Sequence, residues 1–204
     1  MRTLIIVLAV LALHLTSIAQ TEDQKNDLTK NAPETCARLK FYWPDELLEK
    51  TLPDLPGETW EKRVFVFALA NVESEGFINK INRKGSANTN PDCGILQIKQ
   101  ISLDDYWQNT GISPYCLVTD LADPTKPDSV TKVLPLKILN DMAKNYGLKT
   151  FHDIAYRWHL GTRWRELAPS SDYFGKVWYS YEQIELLQNT GRLAAYNKPA
   201  DEYY

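Results

Sequence analysis

The 204-residue sequence predicts a mainly α domain, helical throughout except for a small β/loop insert after its first long helix. Three observations lead there. The run Val64-Phe65-Val66-Phe67-Ala68-Leu69-Ala70 is apolar on nearly every side, the mark of a central, buried helix. The stretch from Asn79 to Asp92, rich in Asn, Gly, Ser, Lys and Pro, has the composition of a loop or a small irregular hairpin. Beyond it, three segments carry helical spacing or helix-ending glycines as far as Gly191. With 44% hydrophobic and 24% charged residues, the chain is not a disordered, collagen-like or coiled-coil polymer. Its length suits one main domain whose core stands without metal or disulfide support. Lys and Arg total 23 against 26 Asp and Glu, a formal net charge of −3, so no nucleic acid partner held by phosphate neutralisation is expected.

Taken from the start, Arg2 precedes the apolar run Leu4 to Leu13, and Ser17-Ile18-Ala19 offers a small-x-small exit. That is the pattern of a secretory signal peptide over residues 1–19, and it predicts export to the periplasm or the extracellular space. The run is short for a membrane span and no Cys follows it to carry a lipid, so no stable membrane anchor is expected after cleavage. Loss of Arg2 makes the mature chain more acidic. Residues 20–58 read as a polar, Pro-rich N-terminal arm punctuated by Pro33, Pro44, Pro53 and Pro56. Its Phe41-Tyr42-Trp43 and Leu47-Leu48 are apolar enough to pack on the domain, while its first residues are expected to be mobile. The domain proper covers 59–190, and 191–204 form a C-terminal tail.

Within the domain, Thr59 or Glu58 starts a helix running to about Phe77. Val64 to Phe67 would also suit a strand, but the length of the apolar stretch and its lack of turn residues favour the helix. After the insert, Gly94-Ile95-Leu96-Gln97-Ile98 returns to apolar character. Asp123 to Asp128 is a turn, and Ser129 caps a helix to Tyr146-Gly147 whose apolar positions follow a 3.6-residue period, with a kink expected at Pro135. A shorter helix spans His152 to Leu160 and ends at Gly161. The last runs from Ser171-Asp172 to Gln188, with Gly191 past its end.

Of the three cysteines, Cys93 and Cys116 would close the smallest loop and are the pair preferred if a disulfide forms; Cys36 would then be free. His152 and His159 lie seven residues apart, about 10 Å along a helix, too far to share one metal. No metal and no cofactor is expected.

Glycosidic-bond cleavage needs a carboxylic acid that is protonated at working pH, which calls for a poorly solvated site. Glu73, following Phe67, Leu69 and Val72 on the apolar helix, is the best-placed acid; Glu75, two residues on, faces elsewhere. The competing reading of Glu73 is a solvated residue at a helix end. Glu73-Ser74-x-x-Phe77, the Asn/Ser-rich loop, then Gly94-Ile95-Leu96-Gln97-Ile98 resembles the lysozyme-like superfamily, most closely the soluble lytic transglycosylase (SLT) family. Three later segments are similar to that family in the same order: Leu121-Ala122-Asp123-Pro124, Ala155 to Gly161, and the Tyr-rich helix from Tyr173 to Tyr181. The resemblance covers about residues 60 to 185 and implies an α+β lysozyme-like fold. It also implies an exported enzyme acting on peptidoglycan glycan strands, at β-1,4 bonds between N-acetylmuramic acid and N-acetylglucosamine.

Carried over, Glu73 is the catalytic acid and base, with Ser74 and Gln97 lining the cleft. Two departures from the family stand out. Its Tyr-Asn pair falls on Trp158-His159, and a Trp has no phenolic hydroxyl to hold the glutamate. Tyr156 or Tyr173 would replace that hydroxyl, or the site is weakened; Trp158 and His159 then stand as substituted cleft residues, and His159 reads equally well as the polar face of a short helix. Asp92, two residues before Gly94, sits where animal lysozymes carry a second carboxylate, which would allow a retaining hydrolysis. It also reads as a Pro91-Asp92 turn residue. Tyr106, Trp107, Trp158 and Trp164 are candidates for stacking on sugar rings. The alternative function is a non-catalytic glycan-binding domain. No Gly-x-Ser-x-Gly, phosphate-loop or dinucleotide fingerprint is present.

Overall fold

A computed structural model of the chain describes residues 32–83, 91–112, 116–161, 164–165 and 171–192. The signal-peptide reading of 1–19, the start of the arm and nearly all of the 191–204 tail lie outside those residues. The described chain is mainly helical, with seven helices and one two-stranded sheet. In order they are α1 (32–42), α2 (Asp45–Thr51), α3 (Thr59–Ser74), β1 (Ile81–Asn82), β2 (Asp92–Cys93), α4 (Gln100–Thr110), α5 (Leu134–Asn145), α6 (Phe151–Leu160) and α7 (Ser171–Asn189). No described helix is long and apolar enough to cross a membrane.

Helix α3 is the central element. Glu58 stands at its N-cap position, and the Glu58 backbone N–H donates to Glu61 Oε2 at 2.7 Å. Every residue from Arg63 to Asn71 is buried. It packs along α7, where Asn71 Nδ2 donates to Ser180 Oγ at 3.0 Å inside the core.

Residues 32–58 depart from the arm read in the sequence. They carry α1 and α2, and Leu39, Trp43, Leu48 and Leu52 are fully buried members of the core. Pro44 precedes α2, and Pro53 and Pro56 follow it, so these prolines mark helix ends rather than a linker. The Trp43 indole donates to the Lys132 carbonyl at 2.9 Å, and Asp45 forms an ion pair with the buried Arg63. The packing expected of Trp43 and Leu48 is therefore present, and what the sequence reading lacked is the helical form of α1 and α2.

The insert is a short antiparallel pair, Ile81 opposite Cys93 and Asn82 opposite Asp92. Cys93 also bridges Ile98, closing Gly94 to Gln97 into a tight loop. Gly94 has φ +76°, and a Cβ there would lie 2.7 Å from the Leu121 carbonyl oxygen. Gly94→Ala thus meets both left-handed strain and a backbone clash. We expect it to cost about 2–4 kcal/mol, read as a lower urea midpoint at unchanged m-value.

The predicted kink at Pro135 takes a specific form. Residues Ser129–Val133 make a π-helical turn that leads into α5, with Pro135 at the start of the regular helix. Proline has no N–H to give and its ring crowds the carbonyl four residues back, which the wider turn relieves. The three cysteines are free thiols, so no Cys93–Cys116 bridge forms. Cys36 is buried on α1, and desolvation pushes its thiol up to about 12.

Candidate active site

Glu73 occupies the last turn of α3, half-buried. Its position depends on how that helix stops. Glu75 turns into the left-handed region at φ 58° and Gly76 follows at φ 73°. The Glu75 carbonyl then accepts from Arg38 Nη1 at 2.8 Å and Thr35 Oγ1 at 3.3 Å, so α1 clamps the end of α3. A Cβ on Gly76 would press on Thr35 at 3.0 Å, which is why glycine stands there. The Glu75 side chain pairs with Lys80 at 3.2 Å, away from Glu73's role.

Tyr173, at the start of α7, donates its phenolic hydroxyl to Glu73 Oε1 at 2.5 Å. Burial first, then the Glu73 charge and this hydrogen bond, hold the phenol well above its ordinary range. It is therefore a permanent donor at working pH. The His159 ring lies face to face on Tyr173, with centroids 3.9 Å apart and planes 10° from parallel. Glu73, Tyr173 and His159 thus form one connected group contributed by α3, α7 and α6.

The other predicted site residues fall in different places. Ser74 is 1% exposed, and its hydroxyl donates to the Ile95 carbonyl at 2.7 Å and the Ala70 carbonyl at 3.2 Å. It ties the end of α3 to the Gly94–Ile98 loop and presents no surface to a substrate. Gln97 is buried at φ 50°, with Nε2 donating to the Gly94 carbonyl at 2.8 Å and the Lys80 carbonyl at 3.1 Å. These bonds fix the amide so that Oε1 is a buried acceptor with no partner among the described residues.

Gln97, Trp158 and His159 line one cleft of about 280 Å³ between α4, α5 and α6. Tyr106 lies on its wall as well, whereas Trp107 and Trp164 pack against the core. Tyr156 does not approach Glu73. Its ring packs on Phe174 at 3.9 Å, within an aromatic seam between α6 and α7 that also includes His152 and Trp178. Tyr156 and His159, three positions apart, share the face of α6 that meets α7, Tyr156 on Phe174 and His159 about one turn further along on Tyr173. Asp92 stands in β2 with Oδ1 buried, 3.8 Å from the Lys99 ammonium.

Neither Glu73 nor Tyr173 is among the residues that line the cleft; His159, stacked on Tyr173, connects it to them. A carboxyl group held by a buried phenol is an arrangement that suits proton transfer. Comparison with protein-family models, curated proteins and solved structures gives no match to the chain.

Proposed function

We propose that the protein is an exported, lysozyme-like peptidoglycan-cleaving enzyme of the lytic transglycosylase type, with Glu73 as acid and base. The hydrogen bond from Tyr173 to Glu73 Oε1 at 2.5 Å carries this reading. It supplies the phenol that the Trp158-His159 substitution takes from the motif on α6. The order of Glu73-Ser74, the Gly94–Ile98 loop and the Tyr-rich last helix supports the same assignment.

In this mechanism the protonated Glu73 donates to the glycosidic oxygen as the bond to the muramic acid C1 breaks. The resulting carboxylate then accepts the proton of that sugar's 6-hydroxyl as its oxygen attacks C1. The products are a new chain end on the leaving sugar and a 1,6-anhydro ring, with no water consumed. Tyr173 holds the carboxyl group in one orientation through both steps. Release of soluble fragments from purified peptidoglycan tests the reading; binding without release would make the protein a glycan-binding domain instead.

Asp92 decides between this route and a lysozyme-type hydrolysis. Its place in the two-stranded ladder favours a structural role, although its buried Oδ1 has no hydrogen-bond partner among the described residues and the Lys99 ammonium stays 3.8 Å away. Asp92→Asn is therefore expected to keep activity within about twofold, measured as the initial rate of fragment release. A loss of orders of magnitude would assign Asp92 to catalysis as the second carboxylate.

A further inference from the structure

We propose that the cleft between α4, α5 and α6 is a binding site for a zwitterionic amino-acid end, an ammonium and a carboxylate on one carbon. Arg157 takes the carboxylate; Asp105 and Asp141 take the ammonium. That such an end belongs to a wall peptide rests on the peptidoglycan reading above, but the site's charges do not.

Arg157 sets the chemistry of this cleft. It is only 6% exposed and lines the cleft. Its guanidinium lies over the Tyr146 ring at 4.0 Å, and its buried Nε has no hydrogen-bond partner among the described residues. Among the described residues no carboxylate or carbonyl accepts from it. Buried guanidinium groups normally have an anionic partner, because an unpaired charge out of water is strongly unfavourable. A planar fork of donors at a cavity wall suits a carboxylate. Gly161, beside Arg157, adds no bulk: even a Cβ there would stay 3.8 Å from Nη1.

A simple anion does not satisfy the rest of the wall. Asp105 and Asp141 line the same cleft, and neither comes within ion-pair reach of Arg157. Asp141 Oδ2 accepts from Asn109 Nδ2 at 3.1 Å, an interaction that leaves its charge uncancelled. The buried, unpartnered Gln97 Oε1 is a further acceptor on this wall. A lone cation would be repelled by Arg157 and a lone anion by the two aspartates. A ligand with both charges answers every group, and about 280 Å³ suits one amino-acid residue.

The probe is free D-alanine, titrated into the full-length protein while the Arg Nε–H and Trp indole N–H resonances are followed by NMR. The expected result is a saturable shift of the Arg157 signal. D-Alaninamide, which lacks the carboxylate, and N-acetyl-D-alanine, which lacks the ammonium, should each bind at least about tenfold more weakly. Arg157→Lys keeps the charge without the fork and should also weaken binding, read from the Trp158 signal. Glu73→Gln should leave the titration unchanged, so binding without any glycan cleavage would remove the peptidoglycan reading alone. Equal binding of either neutralised probe, or no saturable shift with D-alanine, would overturn the proposal using the unaltered protein, whatever a variant's folding.

Discussion

Glu73→Gln is expected to abolish turnover, a loss of at least about a thousandfold in kcat, while the fold and glycan binding persist. The substitution is nearly isosteric. Its amide oxygen can still accept the Tyr173 hydroxyl, so the contact between α3 and α7 remains. Only the proton that must pass to the glycosidic oxygen is lost. The variant should co-sediment with insoluble peptidoglycan like the parent, melt at a similar temperature, and release no soluble fragments. Undiminished release would remove Glu73 from catalysis.

Tyr173→Phe should lower kcat by about 10- to 150-fold, the equivalent of a hydrogen bond to a charged group of roughly 1.5–3 kcal/mol. The phenyl ring keeps its stack with His159, so the change isolates the hydroxyl. KM should move little, because the bond orients the acid rather than the sugar. A pH experiment adds an independent readout. In the folded chain the phenol titrates well above its ordinary value of 10, so it keeps a proton that the unfolded chain loses. Its contribution to stability is complete below about pH 10 and falls away as the pH rises further. Tyr173→Phe should therefore make the alkaline loss of stability shallower. Activity within about twofold of the parent would return Tyr173 to a packing role.

How much of this was legible in the sequence depended on burial. Helix α3 stood out because almost every residue faces protein, and α6 and α7 because Gly161 and Gly191 mark their ends; the Thr150 cap of α6 was not read. Helices α1 and α2 were hidden by prolines that sit at their boundaries. Helix α4 buries little beyond Leu103 and Tyr106, so its apolar period is too thin to read. Of the candidate site residues, Glu73, Gln97 and His159 were singled out from motif order, and the structure joins Glu73 to His159 through Tyr173 and puts Gln97 and His159 on one cleft. Tyr173 was visible only as one of two substitutes for a missing hydroxyl, since nothing local tells which of Tyr156 and Tyr173 reaches a residue on another helix. Ser74 was placed on the cleft by its neighbour; its short, buried hydroxyl instead bonds the loop that follows. Arg157 carried no sequence signal, because what distinguishes it is the absence of a partner among the described residues.

Mass spectrometry of the fragments released from purified peptidoglycan separates the possible reactions. A transglycosylase with Glu73 as its acid leaves 1,6-anhydromuramyl ends, lighter by one water than reducing ends, and none are expected from Glu73→Gln. Reducing ends alone would contradict that reading and point to hydrolysis with Asp92 as the partner carboxylate; no released fragments would contradict cleavage altogether.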